Sequence, residues 1–428
     1  MTSPGTFCCG PSASARSQVL RTWLARGPQP LYATIQSNIA LSALAATSVC
    51  PETGLTAVAA RLDSRLGRAE SSSGEMADHP TAPLRGPDVW RGDTLTAAPE
   101  QWLRPLTRGE LAELDAGADA LVAQGWPAGT TDLRSELHVL SPAGALGALA
   151  HSLRDDLLFG RGFVVLRGLP VDDAPARVAA RLWLLGRQLG APVSQNARGH
   201  LLGHVCDLGY DAADPATRLY QTNQRQGFHT DSADLVALLC LRTAITGGRS
   251  SLASAAAVFN EVLARAPELA GALFEPIATD HRGEHPPGAR PWFEIPVLSF
   301  IDDRLTVIYQ RRYIDSAARF AAAPKLTPRT RAALDLFDAV LDDPAIHLEM
   351  DLAPGDVQLV HNHQLLHDRT AFVDDPDPAR RRHLLRLWLC PPIGRRLPTA
   401  FTERYGSIEI GRRGGVTPRV APVISLTP

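Results

Sequence analysis

Lysine is almost absent from this 428-residue chain, where Lys325 stands alone and arginine carries the remaining positive charge. Lys plus Arg number 43 against 45 Asp plus Glu, a formal charge of -2, so there is no basic excess of the kind that drives wholesale binding to nucleic acid or a membrane surface. The six cysteines, at 8, 9, 50, 206, 240 and 390, include no CxxC pair and no regular framework, so neither a zinc knuckle nor a disulfide scaffold is indicated and a reducing compartment fits best. No apolar run approaches the roughly 18 residues that span a bilayer. The chain also lacks a charged start followed by a continuous apolar stretch, so the expected location is cytoplasmic. What is present, 45% hydrophobic and 21% charged residues, suits a folded protein with a sizeable core.

Acidic residues and lysine are missing altogether from Met1 to Cys50, which has three arginines and much Ser, Ala and Thr. Residues 1–75 are therefore expected to be a poorly structured leader outside the fold, with translation from Met76 or an organellar signal in residues 1–50 as alternatives. Residues 76–428 are expected to form one domain.

Order begins at Thr107-Arg108-Gly109-Glu110, whose spacing is that of a capping box, before Leu111, Leu114, Leu121 and Val122 at helical intervals. Ser141-Pro142 predicts the start of a second helix, with Leu146, Leu149 and Leu153 on one face and a stop at Gly160. A strand at Phe163–Arg167 and a helix near 174–189 follow. Further on, short apolar runs bounded by Gly, Pro or Asp (235–241, 297–301, 305–309, 357–360, 384–389) have strand length, and helices are predicted near 255–265 and 330–341. The pattern predicts an α+β protein with a β barrel or sandwich decorated by helices.

Three segments can carry chemistry. In Gly227-Phe228-His229-Thr230-Asp231, extended backbone points residues i and i+2 to the same side, so His229 and Asp231 offer an imidazole and a carboxylate to one metal. In His361-Asn362-His363-Gln364-Leu365-Leu366-His367, three histidines offer a third ligand from a separate strand, His367 lying 138 residues beyond His229. Two imidazoles and one carboxylate on one face leave positions open on an octahedral ion, the arrangement of non-haem Fe(II) oxygenases, although zinc accepts the same donors. In Arg380–Leu389, alternation puts Arg382, Leu384, Arg386 and Trp388 on one side, and an inward arginine suits a carboxylate partner.

At these segments the chain resembles the taurine dioxygenase-like (TauD/TfdA) family of Fe(II)- and 2-oxoglutarate-dependent oxygenases, over roughly 86–391. The resemblance implies a double-stranded β-helix, or jelly roll, of clavaminate synthase-like type. It implies Fe(II) held by His229, Asp231 and His367, the last preferred over His361 and His363 because Asn362 precedes it by five positions. Gly247-Gly248-Arg249-Ser250 resembles the family's Gly-Gly-x-Thr segment, which puts Ser250 and Arg382 on the 2-oxoglutarate carboxylate and Arg386 on cosubstrate or an anionic substrate. Arg225 stands where taurine dioxygenase has a substrate-contacting Asn, so taurine itself is not expected and Arg225 becomes a candidate for an anionic substrate. Asp231 sets the chain apart from related halogenases, which lack that carboxylate. The expected function is oxidation of an unactivated C–H bond of a small organic substrate, using 2-oxoglutarate and O2, with no nucleic-acid or membrane partner and homo-oligomerisation left open. The competing readings are a metal-binding jelly roll without oxygenase activity and a zinc hydrolase built on the same triad.

Overall fold

Two antiparallel sheets frame the protein, and the alternation of side chains along their strands decides what each face meets. The structure, a computed structural model, describes residues 79–128, 144–212, 214, 217–285 and 288–428. The expected leader, and the Ser141-Pro142 start of the second helix, lie outside them.

Eleven strands matter for the site: β1 (Leu103–Pro105), β2 (Phe163–Arg167), β3 (Ala191–Pro192), β4 (Leu202–Val205), β5 (Gln226–His229), β6 (Leu235–Arg242), β7 (Ser250–Ser254), β8 (Leu348–Met350), β9 (Val357–His361), β10 (Leu365–Arg369) and β11 (His383–Cys390). The larger sheet runs β1-β2-β9-β6-β11-β3, with β4 also pairing with β11. Its one parallel pair is β1 with β2. The smaller sheet runs β8-β7-β10-β5.

One face of the larger sheet is a greasy floor for three helices. Leu385, Leu387 and Leu389 of β11 join Val164, Leu166, Leu239 and Leu359 in a cluster with Leu114, Leu149, Leu153 and Trp183 from helices Arg108–Ala123, Ala145–Leu158 and Pro175–Leu189. The first of these helices has the full capping box, Thr107 accepting from the Glu110 amide and Glu110 accepting from the Thr107 amide. Burying each such leucine contributes about 1.5 to 3 kcal/mol relative to leaving it exposed, which explains why these helices dock on this face.

The alternate residues of the same strands face the smaller sheet. Phe163, Val165 and Val360 pack against Leu252, Leu348, Met350 and Leu365, closing one end of the space between the sheets. Leu384, Arg386 and Trp388 also lie on this side, but at the other end, where polar side chains replace apolar ones and a cavity opens. The outer side of the smaller sheet is covered by helices Ala255–Arg265 and Pro328–Leu341 through Phe228, Ala253 and Leu366 against Val258, Phe259, Phe337 and Leu341. Helices and sheets are thus mixed as the α+β reading expects. Among the described residues no helix is long and apolar enough to cross a membrane.

Candidate metal centre and cosubstrate pocket

Neighbouring strands bring two of the candidate ligands together. His367 of β10 lies directly opposite His229 of β5 in antiparallel register, which puts their rings 4.1 Å apart between centroids. Asp231 follows two residues after β5. Its Oδ1 is 4.0 Å from His229 Nε2 and its Oδ2 is 3.9 Å from His367 Nε2. One donor atom from each of the three residues lies within 4.8 Å of the other two, spacing that fits a single ion.

The surrounding groups prepare those donors. His229 Nδ1 sits 3.0 Å from the Gly227 carbonyl, so Nδ1 carries the proton and Nε2 is left with its lone pair. In this arrangement the Gln226 amide lies 2.8 Å from that Nε2, a contact an ion would displace. Trp388 Nε1 donates to Asp231 Oδ2 at 2.8 Å and Arg386 Nη1 donates to the same oxygen at 3.2 Å, leaving Oδ1 free to act as the ligand. Burial works against ionising Asp231. The Arg386 charge, the two imidazoles and the Trp388 N–H outweigh it and hold the carboxyl at about 2. Burial also depresses both histidines, His367 to about 3, so both rings are neutral and available to metal near neutrality.

Asn362 fixes the loop after β5. Its Oδ1 accepts from the Asp231 amide at 2.9 Å, and its Nδ2 donates to the carbonyls of Asp231 and Ala233. His361 and His363 point elsewhere: the first meets Gln364 at 2.6 Å and the second meets Asp234 at 2.7 Å, inside a buried network completed by Arg413. Of the three clustered histidines, the fold brings His367 alone to Asp231.

Behind the triad, the same cavity is lined by Ser250, Arg369 and Arg382. Arg382 is 4% exposed, and its Nη1 is buried with no hydrogen-bond partner. Burial pushes its pKa down, as expected of a cation lacking a carboxylate. The two glycines before Arg249 explain how it reaches this position. Gly248 has φ +72°, and a Cβ there would lie 2.8 Å from Arg382 Nε, while a Cβ on Gly247, at φ +73°, would strike the Ala371 carbonyl at 2.1 Å. An orphaned guanidinium beside a buried hydroxyl fits one end of a dicarboxylate, and the His, His, Asp donor set fits Fe(II).

Two expectations change. Arg386 does line the cavity, but it is engaged by Asp231 and by Gln195 Oε1 at 2.7 Å, so its charge steadies the Asp231 carboxylate. Arg225 does not join the triad's cavity: it pairs with Asp368 at 2.9 Å and Asp342 at 2.6 Å and lines a more open cleft beside Phe228. Sequence reading missed Gln195 and Gln226, which lie in no recognisable motif. It also missed Arg369, whose guanidinium shares the Phe372 ring with Arg382 and which burial depresses to about 9.

Two imidazoles and one carboxylate on one side of an ion, with an unpaired arginine at the back of the same pocket, define the class of mononuclear non-haem iron oxygenases that use a keto acid. The chain belongs to the family described as "Taurine catabolism dioxygenase TauD, TfdA family", whose model matches residues 137–388. It is 32% identical over 329 residues to FR-33289 synthase of Streptomyces rubellomurinus, covering 76% of this chain and 95% of that protein. It is 26% identical over 328 residues to the taurine hydroxylase-like protein SAT17 of Stachybotrys chartarum, covering 71% and 81%. The solved structure of asparagine oxygenase with Fe(II), 2S,3S-3-hydroxyasparagine and succinate shares the fold, with TM-score 0.51 at 22% identity over 67% of this chain and 93% of that one. The protein is an oxidoreductase, a 2-oxoglutarate-dependent non-haem iron dioxygenase whose cofactors are Fe(II) and 2-oxoglutarate, with O2 as oxidant.

Proposed function

We propose that the domain from 76 to 428, on a jelly-roll core, oxidises an unactivated C–H bond of a small organic substrate, with release of succinate and CO2. The observation that carries this is the meeting of His229, Asp231 and His367 in one cavity with the unpaired Arg382. When bound, Fe(II) and 2-oxoglutarate supply the activation of O2 by oxidative decarboxylation of the keto acid.

The chain's own residues bind, aim and shield. His229 and His367 present Nε2, and Asp231 presents Oδ1, because Trp388 and Arg386 occupy its other oxygen. Arg382 and Ser250 anchor the far carboxylate of the cosubstrate and so set the direction from which its other end meets the triad. The low exposure of the triad, 4% for His229, 9% for His367 and 9% for the Asp231 side chain, limits the access of bulk water to the reacting atoms. A zinc hydrolase or a bare metal module has no use for an orphaned guanidinium, which would be costly to keep buried.

The test is succinate release. Purified protein with Fe(II), ascorbate and 2-oxoglutarate is screened against small organic acids and amines, and one class is expected to stimulate succinate and CO2 formation above the substrate-free level. Activity with zinc and without air or 2-oxoglutarate would refute the reading.

A further inference from the structure

A second cavity, which Arg382 does not line, also reaches His229 and Asp231 and is lined by four arginines: Arg218, Arg312, Arg386 and Arg404. Among the described residues Asp231 is the one acid in that lining, and Arg386 already engages it. Behind the wall, Glu284 pairs with Arg218 and lies 3.7 Å from Arg404. Four arginines against Asp231 and Glu284 leave a surplus of two positive charges. Fe(II) and doubly ionised 2-oxoglutarate cancel each other and do not alter it.

The surplus is held in place. Arg218, with a side chain 18% exposed, donates through Nη1 to the Tyr313 hydroxyl at 2.9 Å. Arg404, 8% exposed, donates through Nε to the hydroxyl of Ser232, the residue after the carboxylate ligand, at 2.7 Å. Arg312 donates through Nη2 to the Ala212 carbonyl at 2.8 Å. Partly desolvated like charges repel one another and lose hydration, so such a cluster is stable when an anion of matching charge completes it. Three arginines that line one cavity from separate chain segments offer forked donors to more than two oxygens, a number that a tetrahedral oxyanion supplies and a single planar carboxylate does not.

We propose that this cavity binds the substrate through a tetrahedral dianion, a phosphonate or a phosphate monoester, gripped by Arg218, Arg312 and Arg404, with the carbon to be oxidised directed at the triad. The proposal rests on the oxygenase reading and names its substrate class. Because Arg404 is tied to Ser232, the anion end of the substrate is fixed to the segment that carries Asp231, and the length of the substrate sets which carbon is presented.

Calorimetric titration of the protein, with and without Mn(II) plus 2-oxoglutarate to fill the Arg382 pocket, tests it with methylphosphonate, methyl phosphate, methanesulfonate and acetate. Methylphosphonate or methyl phosphate is expected to bind at least about tenfold more tightly than the two monoanions, and Arg312→Gln to weaken that binding by about tenfold or more, the loss of one charge-assisted contact. The tighter of the two dianions identifies the source. Arg312→Lys, which keeps the charge and loses the fork, serves as a second variant, and circular dichroism checks that each variant is folded. Equal affinity for all four anions, or folded Arg312 variants with wild-type affinity, would overturn the proposal. Dianion binding without any binding of 2-oxoglutarate to the Mn(II) protein would sink the oxygenase reading instead, and the reverse pattern would sink the dianion proposal alone.

Discussion

Replacing Arg382 with Gln removes one guanidinium while leaving the triad and its supports in place. The Arg382 guanidinium lies over the Phe372 ring, makes one weak hydrogen bond, Nη2 to the Gly248 carbonyl at 3.4 Å, and has an Nη1 with no partner. Its charge is therefore free for the cosubstrate. Loss of a charge-assisted contact worth about 1.5 to 3 kcal/mol corresponds to about a 10- to 150-fold rise in the Kd for 2-oxoglutarate. The assay is anaerobic titration of 2-oxoglutarate into the Mn(II)-loaded protein, with succinate release measured in parallel. Turnover should recover as 2-oxoglutarate is raised. An unchanged Kd would refute the assignment of Arg382, and a matching rise in Arg386→Gln alone would move the role to a residue that the structure ties to Asp231.

Trp388→Phe keeps an aromatic ring, though a smaller one, and deletes the N–H that holds Asp231 Oδ2. Metal affinity is expected to fall about 10- to 100-fold, read by calorimetry with Mn(II), and wild-type affinity would contradict the orienting role. Asn362→Ala strips partners from the Asp231 amide and from the carbonyls of Asp231 and Ala233. It should cost about 2 to 4 kcal/mol of stability, and a urea midpoint equal to wild type would count against it. Burial, reinforced by neighbouring His204, Arg242 and Arg382, depresses His383 to about 4. Burial together with Arg404 and His285 does the same for His281. Both are neutral in the native state, so as pH falls from 6.5 to 4 the unfolded chain takes up protons that the folded one refuses. Stability should drop by up to about 3 kcal/mol per residue over that window and level off below it. His281→Gln should flatten the slope, and a pH-independent midpoint between 6.5 and 4 would refute the linkage.

Much of the fold was legible because apolar runs of strand length need burial on both sides. Phe163–Arg167 appears with the bounds expected, and the run at 384–389 extends by one residue at each end. None of the apolar runs read as strands falls in the smaller sheet. Ser250–Ser254 is small and mostly polar yet buried throughout, and its hydroxyls mimic a loop. Gln226–His229 is four residues long and contains a glycine. The candidate pair His229 and Asp231 was legible because i and i+2 alternation is local, and His367 was singled out through the family resemblance, in which an Asn stands five positions before the distal His. Alternation correctly put Arg386 and Trp388 on one face, but it could not show that both converge on one oxygen of Asp231. Nor could it find Arg218, Arg312 and Arg404, which reach one cavity from three separate segments through tertiary folding.

The most direct test of the metal centre is anomalous scattering from crystals grown without oxygen in the presence of Mn(II) and 2-oxoglutarate. One metal peak is expected, bonded to Nε2 of His229, Nε2 of His367 and Oδ1 of Asp231, with the cosubstrate's far carboxylate on Arg382. A peak that omits any one of those three residues, or a cosubstrate turned away from Arg382, would contradict the account.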